Sequence, residues 1–185
     1  NNDNILLYDN SDLRSSCRCW FSLLYFGHDE KKIHILNGGL KKWVFENKPL
    51  TKNKTEIIES NYVANEKKNL VVNIDQIKMN IQSKNFNVID ARSRERYEGK
   101  VSEPRKGLRS GHIKNSFCLP FNQCIDQKTG EFKNLKELKK LFNQHEDIEK
   151  KLDPVFTCGS GVTASVLAYA YKMVNNDYIP KIYDG

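Results

Sequence analysis

Cys-x-x-Cys pairs are absent, and the cysteines are odd in number: Cys17, Cys19, Cys118, Cys124 and Cys158. Both facts argue against a disulfide framework or a zinc ribbon, which need paired ligands. A reducing compartment with at least one free thiol fits better, which admits the cytoplasm and the mitochondrion. Long apolar runs are absent too, so no segment can span a bilayer and no membrane is expected as a partner. There is no Arg-rich tract and no basic patch interleaved with aromatics. The net charge of +7 is therefore read as a solvated basic surface, and direct nucleic-acid binding is not expected. Lysines come in short runs such as Lys31-Lys32, Lys41-Lys42 and Lys67-Lys68. An initiating Met is missing as well; the chain starts at Asn1, and no targeting peptide can be read from it.

What is present is a chain of 185 residues, 38% hydrophobic and 29% charged, room for one ordinary domain and part of another. It repeats itself in outline. Residues 5–11 are an apolar run followed by polar loop residues; an apolar-rich stretch from Cys17 to Phe26 follows, then Ile33-His34-Ile35-Leu36-Asn37-Gly38. Residues 155–161 have the same form, followed by a helical stretch from Val162 to Val174 and then Lys181-Ile182-Tyr183-Asp184-Gly185. Each copy reads strand, tight loop, helix, strand, and the loops align Asp9 with Cys158. Units of this kind predict an α/β fold with a central parallel sheet flanked by helices. In the second helix, Val162, Val166, Tyr169, Ala170 and Met173 recur at helical intervals and predict one apolar face, ended by Asn175-Asn176-Asp177.

Residues 49–69 are polar and read as a linker. Beyond it the pattern predicts a short helix over 75–84 with Ile74, Ile77 and Ile81 on one face, and a strand over 86–90. A long polar loop over 91–111 follows, then a strand over 116–120, a helix over 135–142, and a strand opened by Pro154 that delivers Cys158. Residues 70–185 thus make most of an α/β domain. Residues 1–48 read as the last part of a preceding domain of the same kind, too short alone to bury a sound core. The chain reads as a fragment truncated at its N-terminus, with truncation after Gly185 left open.

Cys158 carries the chemistry. A strand brings it to the sharp turn Gly159-Ser160-Gly161, and a helix begins at once. Glycines let successive N–H groups converge, and a helix N-terminus adds partial positive charge. Both favour a thiolate over a thiol and cradle an anion.

The run Cys158-Gly159-Ser160-Gly161-Val162-Thr163-Ala164 resembles the active-site loop of 3-mercaptopyruvate sulfurtransferases, in the two-domain rhodanese superfamily. The resemblance extends to Asp90-Ala91-Arg92 with Arg96-Tyr97, to Glu103-Pro104-Arg105, to Gly111-His112-Ile113 and Leu119-Pro120-Phe121. Gly38-Gly39-Leu40 with Trp43, and Ile182-Tyr183-Asp184-Gly185, match the ends of the two domains. It implies that Cys158 takes sulfur from 3-mercaptopyruvate as a persulfide, releases pyruvate, and passes the sulfur to a thiol acceptor such as thioredoxin, or to cyanide. It further implies Arg96 and Arg105 as the cationic fork for the donor carboxylate, with Gly159, Gly161, Val162 and Thr163 also binding substrate. Ser160 is implied as one member of a proton relay whose Asp and His come, in that family, from a half-domain this chain does not contain. No metal and no organic cofactor is implied. The first copy, with Asp9 at the cysteine position, cannot form a persulfide and is expected to help wall the site.

Several residues carry expectations of their own. Glu95 stands where the family has a small residue and would set a negative charge beside Arg96. His112 is expected to bond backbone, and Cys17 and Cys19 to pack; Cys118 and Cys124 have no assigned role. A Cys-dependent phosphatase needs an Arg six residues after the cysteine, and that position is Ala164. Two alternatives stay open. One is a thiosulfate sulfurtransferase, disfavoured by the neutral Gly159 and Ser160 after the cysteine. The other is a relay module that takes a protein persulfide to a tRNA- or cofactor-thiolating partner.

Overall fold

The computed structural model describes residues 3–12, 14–59, 61–144 and 152–184. Gly185, which ends the motif begun at Ile182, lies outside them. Seven strands form two parallel sheets among these residues. In the smaller sheet β1 (Ile5–Leu7) pairs with β2 (Ile33–Ile35), and α1 (Ser15–Tyr25) makes the crossover. The larger sheet contains β3 (Val71–Val72), β4 (Asn87–Asp90), β5 (Ser116–Cys118), β6 (Pro154–Thr157) and β7 (Ile182–Tyr183). Their order is β3-β7-β6-β4-β5, with every pairing parallel. The expected α/β fold, a parallel sheet flanked by helices, is what the chain adopts.

β6 and β4 run through the middle of the sheet, and all four residues of each are buried. A strand covered on both faces cannot alternate apolar and polar residues, which is why the sequence shows short apolar runs here. α6 (Val162–Val174) follows β6. The single apolar face expected of it is too narrow: Ala164 through Ala168 and Ala170 are all buried. Strand β6 lies on one side of this helix, and α1 and α5 (Leu135–Asn143) pack on others. A helix wrapped in this way buries more than the one face its spacing marks out. Trp20 of α1 meets Tyr169 of α6 edge to face, with ring centroids 5.0 Å apart. Trp20, Phe21 and Leu24 therefore share one core with Leu167, Ala168 and Ala170. Because α1 turns this face inward, Cys17 is fully buried while Cys19, two residues on, is exposed. The expectation that Cys19 packs is corrected: two residues on a helix are about 200° apart.

α3 (Ile74–Ser83) and α5 start with reciprocal capping boxes, Asn73 with Gln76 and Asn134 with Glu137. Ile77 is buried on α3, but Ile74, at its first position, stays 52% exposed. Two short helices were not expected. α2 (Gly39–Phe45) follows β2, and α4 (Arg94–Tyr97) interrupts the segment read as a long loop. α4 is a single turn capped by the Ser93 hydroxyl, and four residues give no period to read. Among the described residues of 49–67 there is no helix or strand, and a 3-10 turn follows at Lys68–Leu70. That segment is tied back to the end of α1, where Asn65 N–H donates to the Phe26 carbonyl at 3.0 Å and Lys67 N–H to that of Tyr25 at 2.7 Å. No described helix is long and apolar enough to cross a membrane.

Candidate active site

β6 ends at Thr157, 4% exposed, and Cys158 is the first residue of that strand path to reach solvent in part. The turn then reverses at Gly161, whose φ of +71° places it in the left-handed region at the N-cap of α6. Glycine is required there twice over. A Cβ would collide with Arg18 Nη1 and come within 2.8 Å of Asp184 Oδ1, two side chains that form an ion pair across the turn. Ser165 locks the other flank, its N–H and its hydroxyl both donating to the Gly161 carbonyl, at 3.1 and 2.7 Å. The Ser160 N–H donates to Cys158 Sγ at 3.4 Å, so the sulfur lies over the start of the helix.

A chain of alternating charges approaches from the segment after β4. Asp90, 2% exposed, accepts from Arg92 Nε with both oxygens at 3.0 Å. Arg92 also donates Nη2 to the Gly111 carbonyl at 2.7 Å and Nη1 to Glu103 Oε1 at 2.9 Å. Arg96 grips the same carboxylate with two groups, Nε to Oε1 at 3.2 Å and Nη2 to Oε2 at 2.5 Å. These bonds from Arg96 hold the Glu103 carboxyl below the usual carboxylate range, with Arg92 adding its charge. Arg92 is in turn held more firmly protonated, chiefly by its bonds to Asp90. Arg105 reaches the cysteine turn directly, Nη1 lying 3.4 Å from the Gly159 carbonyl.

Together these elements enclose a cavity of about 160 Å³. Cys158, Gly159, Ser160, Val162, Thr163, Arg96 and Arg105 all line it, with Glu103 and Leu108 among the walls. Seven of the eight residues singled out from the sequence thus come together, and the eighth, Gly161, shapes the turn behind them. A second cavity of about 340 Å³ shares Cys158 and Gly159 and runs past Leu108, Arg109 and His112 to Tyr183. A partly exposed thiol facing two guanidiniums can meet a small anion and attack it.

The structure also corrects and extends the reading of this region. Glu95 does not face Arg96. It is exposed, its carboxyl lowered by bonds to its own backbone N–H and to Ser93, because neighbours on a helix point about 100° apart. The acid on Arg96 is Glu103, which sequence reasoning missed as a site residue. Its signal in the sequence was its place in the Glu103-Pro104-Arg105 run, while spacing alone could not choose among Glu95, Glu98 and Glu103 as the partner of Arg96. His112 bonds backbone as expected, its Nδ1 2.8 Å from the Tyr97 carbonyl and its ring stacked on Tyr97. That contact fixes the proton on Nδ1. Burial pushes the Cys124 thiol up to about 12, and it raises Cys17 and Cys118 as well, which favours the thiol form of all three. Ala164 is fully buried, and a phosphate clamp at that position is excluded.

Comparison with known proteins agrees with the geometry. The chain is 37% identical over 206 residues to thiosulfate/3-mercaptopyruvate sulfurtransferase 2 of Arabidopsis thaliana, covering 100% of this chain and 59% of the relative. It is 35% identical to human 3-mercaptopyruvate sulfurtransferase, over 98% of this chain and 60% of that protein. It therefore spans less than two thirds of these relatives. The crystal structure of SseA from Escherichia coli, a 3-mercaptopyruvate sulfotransferase of rhodanese fold, superposes with a TM-score of 0.83 at 29% identity, covering 97% of this chain and 65% of that one. Residues 73–185 match the rhodanese-like domain family. With the parallel sheet, the cysteine turn and these likenesses in agreement, the chain belongs to the rhodanese-like domain family.

Proposed function

We propose that this chain carries the sulfur-transferring site of a 3-mercaptopyruvate sulfurtransferase. The observation that carries the reading is Cys158 Sγ at the head of α6, in one cavity with Arg96 and Arg105. The donor carboxylate lies between the two guanidiniums, and its sulfur faces Sγ. The Cys158 thiolate attacks that sulfur, and the carbon–sulfur bond breaks. Its electron pair passes to carbon, which takes a proton and leaves as pyruvate. An acceptor thiolate then attacks the outer sulfur of the persulfide, and the sulfur–sulfur bond breaks to return Cys158 as thiolate. Gly159 and Gly161 keep the turn open, Val162 and Thr163 form the wall at the first turn of α6, and Ser160 assists the proton movements. The neutral residues after Cys158 favour a carboxylate donor over thiosulfate.

Residues 70–185 act as the catalytic domain. Residues 49–69 act as the linker, and 1–48 as the C-terminal part of a rhodanese-like domain without a cysteine; the matching β-α-β path of β1 and β2 supports this. The acceptor is a small thiol, a thioredoxin or a sulfur-relay protein. Five free cysteines suit a reducing compartment such as cytoplasm or mitochondrion.

Sulfide release from 3-mercaptopyruvate and from thiosulfate, with dithiothreitol as acceptor, tests the reading. The full-length protein is expected to prefer mercaptopyruvate, and Cys158→Ser to release nothing. A preference for thiosulfate would change the donor. A folded protein inactive with both, yet charged by a protein persulfide, would make it a relay module.

A further inference from the structure

Glu103 takes up one edge of the guanidinium that the reading above assigns to the donor. Among the described residues it is the only carboxylate lining the smaller cavity, where it stands with the guanidiniums of Arg96 and Arg105. Its side chain is 3% exposed, so water does little to weaken its pairing with Arg96. Arg92, behind it, pairs with Asp90 as well as with Glu103, and neither Arg92 nor Asp90 lines the smaller cavity; their two charges offset each other in the balance. The cavity walls apart from the cysteine therefore carry one net positive charge, where without Glu103 they would carry two. Its carboxyl is held ionised at neutral pH by Arg96. The pair sits hard against the cysteine turn: a Cβ on Gly159 would come 3.1 Å from Arg96 Nη2 and 3.9 Å from Glu103 Oε2.

We infer that Glu103 is a specificity-determining residue, which cancels one of the two guanidinium charges and so suits the cavity to donors with a single negative charge and against dianions. The inference rests on the sulfurtransferase reading for the identity of the donors, though not for the charge balance. 3-Mercaptopyruvate brings one carboxylate, and thiosulfate brings two charges. Removing a fixed carboxylate helps every anion, and it helps a dianion by about twice as much, because Coulomb energy scales with ligand charge. A carboxylate that only braced the loop would, when removed, weaken both donors alike.

The test is calorimetric binding of 3-mercaptopyruvate and of thiosulfate to the full-length protein carrying Cys158→Ser, which blocks chemistry, with and without Glu103→Gln. The affinity for thiosulfate relative to mercaptopyruvate is expected to rise by about tenfold at low salt, and by less at high salt. Glu103→Asp withdraws the charge by one methylene and moves the ratio the same way by less. It decides the matter if circular dichroism finds the Gln variant unfolded. An unchanged ratio with both donors weakened would overturn the inference, and so would the absence of any binding to the Cys158→Ser form. Failure of the sulfur-transfer reading has another signature: no Cys158-dependent sulfide release, with the shift in relative affinity intact.

Discussion

The turn after β1 and the turn after β6 are built alike and filled differently. Each leads from a parallel strand to a helix whose N-cap is in the left-handed region, Arg14 at φ +54° in the first and Gly161 at +71° in the second. In the first turn Asp9 supplies its own anion. Its two oxygens accept from the Ser11 and Ser16 N–H groups, both at 2.8 Å, and the space left between Asp9, Arg14 and Gly39 is about 10 Å³. In the second turn the strand-end residue is a cysteine, the sulfur takes one N–H at 3.4 Å, and a cavity of about 160 Å³ remains in front of it. A helix N-terminus favours negative charge in either case. When the chain itself provides that charge, the turn is a cap; when it provides a thiol and room, an anion can come from outside.

Exchanging the features of the two turns should break this contrast, with the largest effect at the cysteine. Cys158→Ser is expected to lower sulfide release by roughly 10³-fold or more. Adding Asp9→Cys to that variant should restore nothing, since the first turn has no room for a donor. Recovered activity would mean that any thiol at such a helix start suffices. Next in size, Gly161→Ala should destabilise the protein by about 2–3 kcal/mol, from positive φ and from the clash with the Arg18–Asp184 pair. Thermal unfolding reads the loss, and a variant with unchanged melting would show that the turn relaxes. Asp9→Asn, which keeps one acceptor and faces an N–H with an amide, should cost about 1 kcal/mol in denaturant unfolding. Sulfide release from that variant should stay within about twofold of wild type.

The smallest effect separates the turns by pH. The folded-state carboxyl of Glu103 lies below its unfolded value, about 4.3. It therefore contributes stability above that pH, and the contribution fades as pH falls through the folded value. Wild type should lose melting temperature below about pH 4.5 more steeply than Glu103→Gln. Parallel slopes would remove Glu103 from the stability of the site.

Much of this was legible because it is local. Apolar runs of strand length, the glycine turn after Cys158 and the helical spacing after Val162 are each written within a dozen residues. A motif set that resembles one superfamily then drew distant segments together, and Arg96 and Arg105 do lie on the Cys158 cavity. Short elements were the losses: α4 and α2 span too little chain to show a period. Glu95 was misjudged because adjacency in sequence was taken for adjacency in space.

The sequence by itself determined the α/β class, the order of the longer helices and the strands they connect, and Cys158 as the one cysteine set in a glycine turn at a helix start. Tertiary structure alone decided that α6 is covered on nearly every side, that Cys19 faces outward, and that Glu103 is the acid shared by Arg92 and Arg96. The division has one physical cause. Backbone preference and hydrophobic period act between near neighbours, whereas burial and charge pairing depend on which segments the folded sheet brings together.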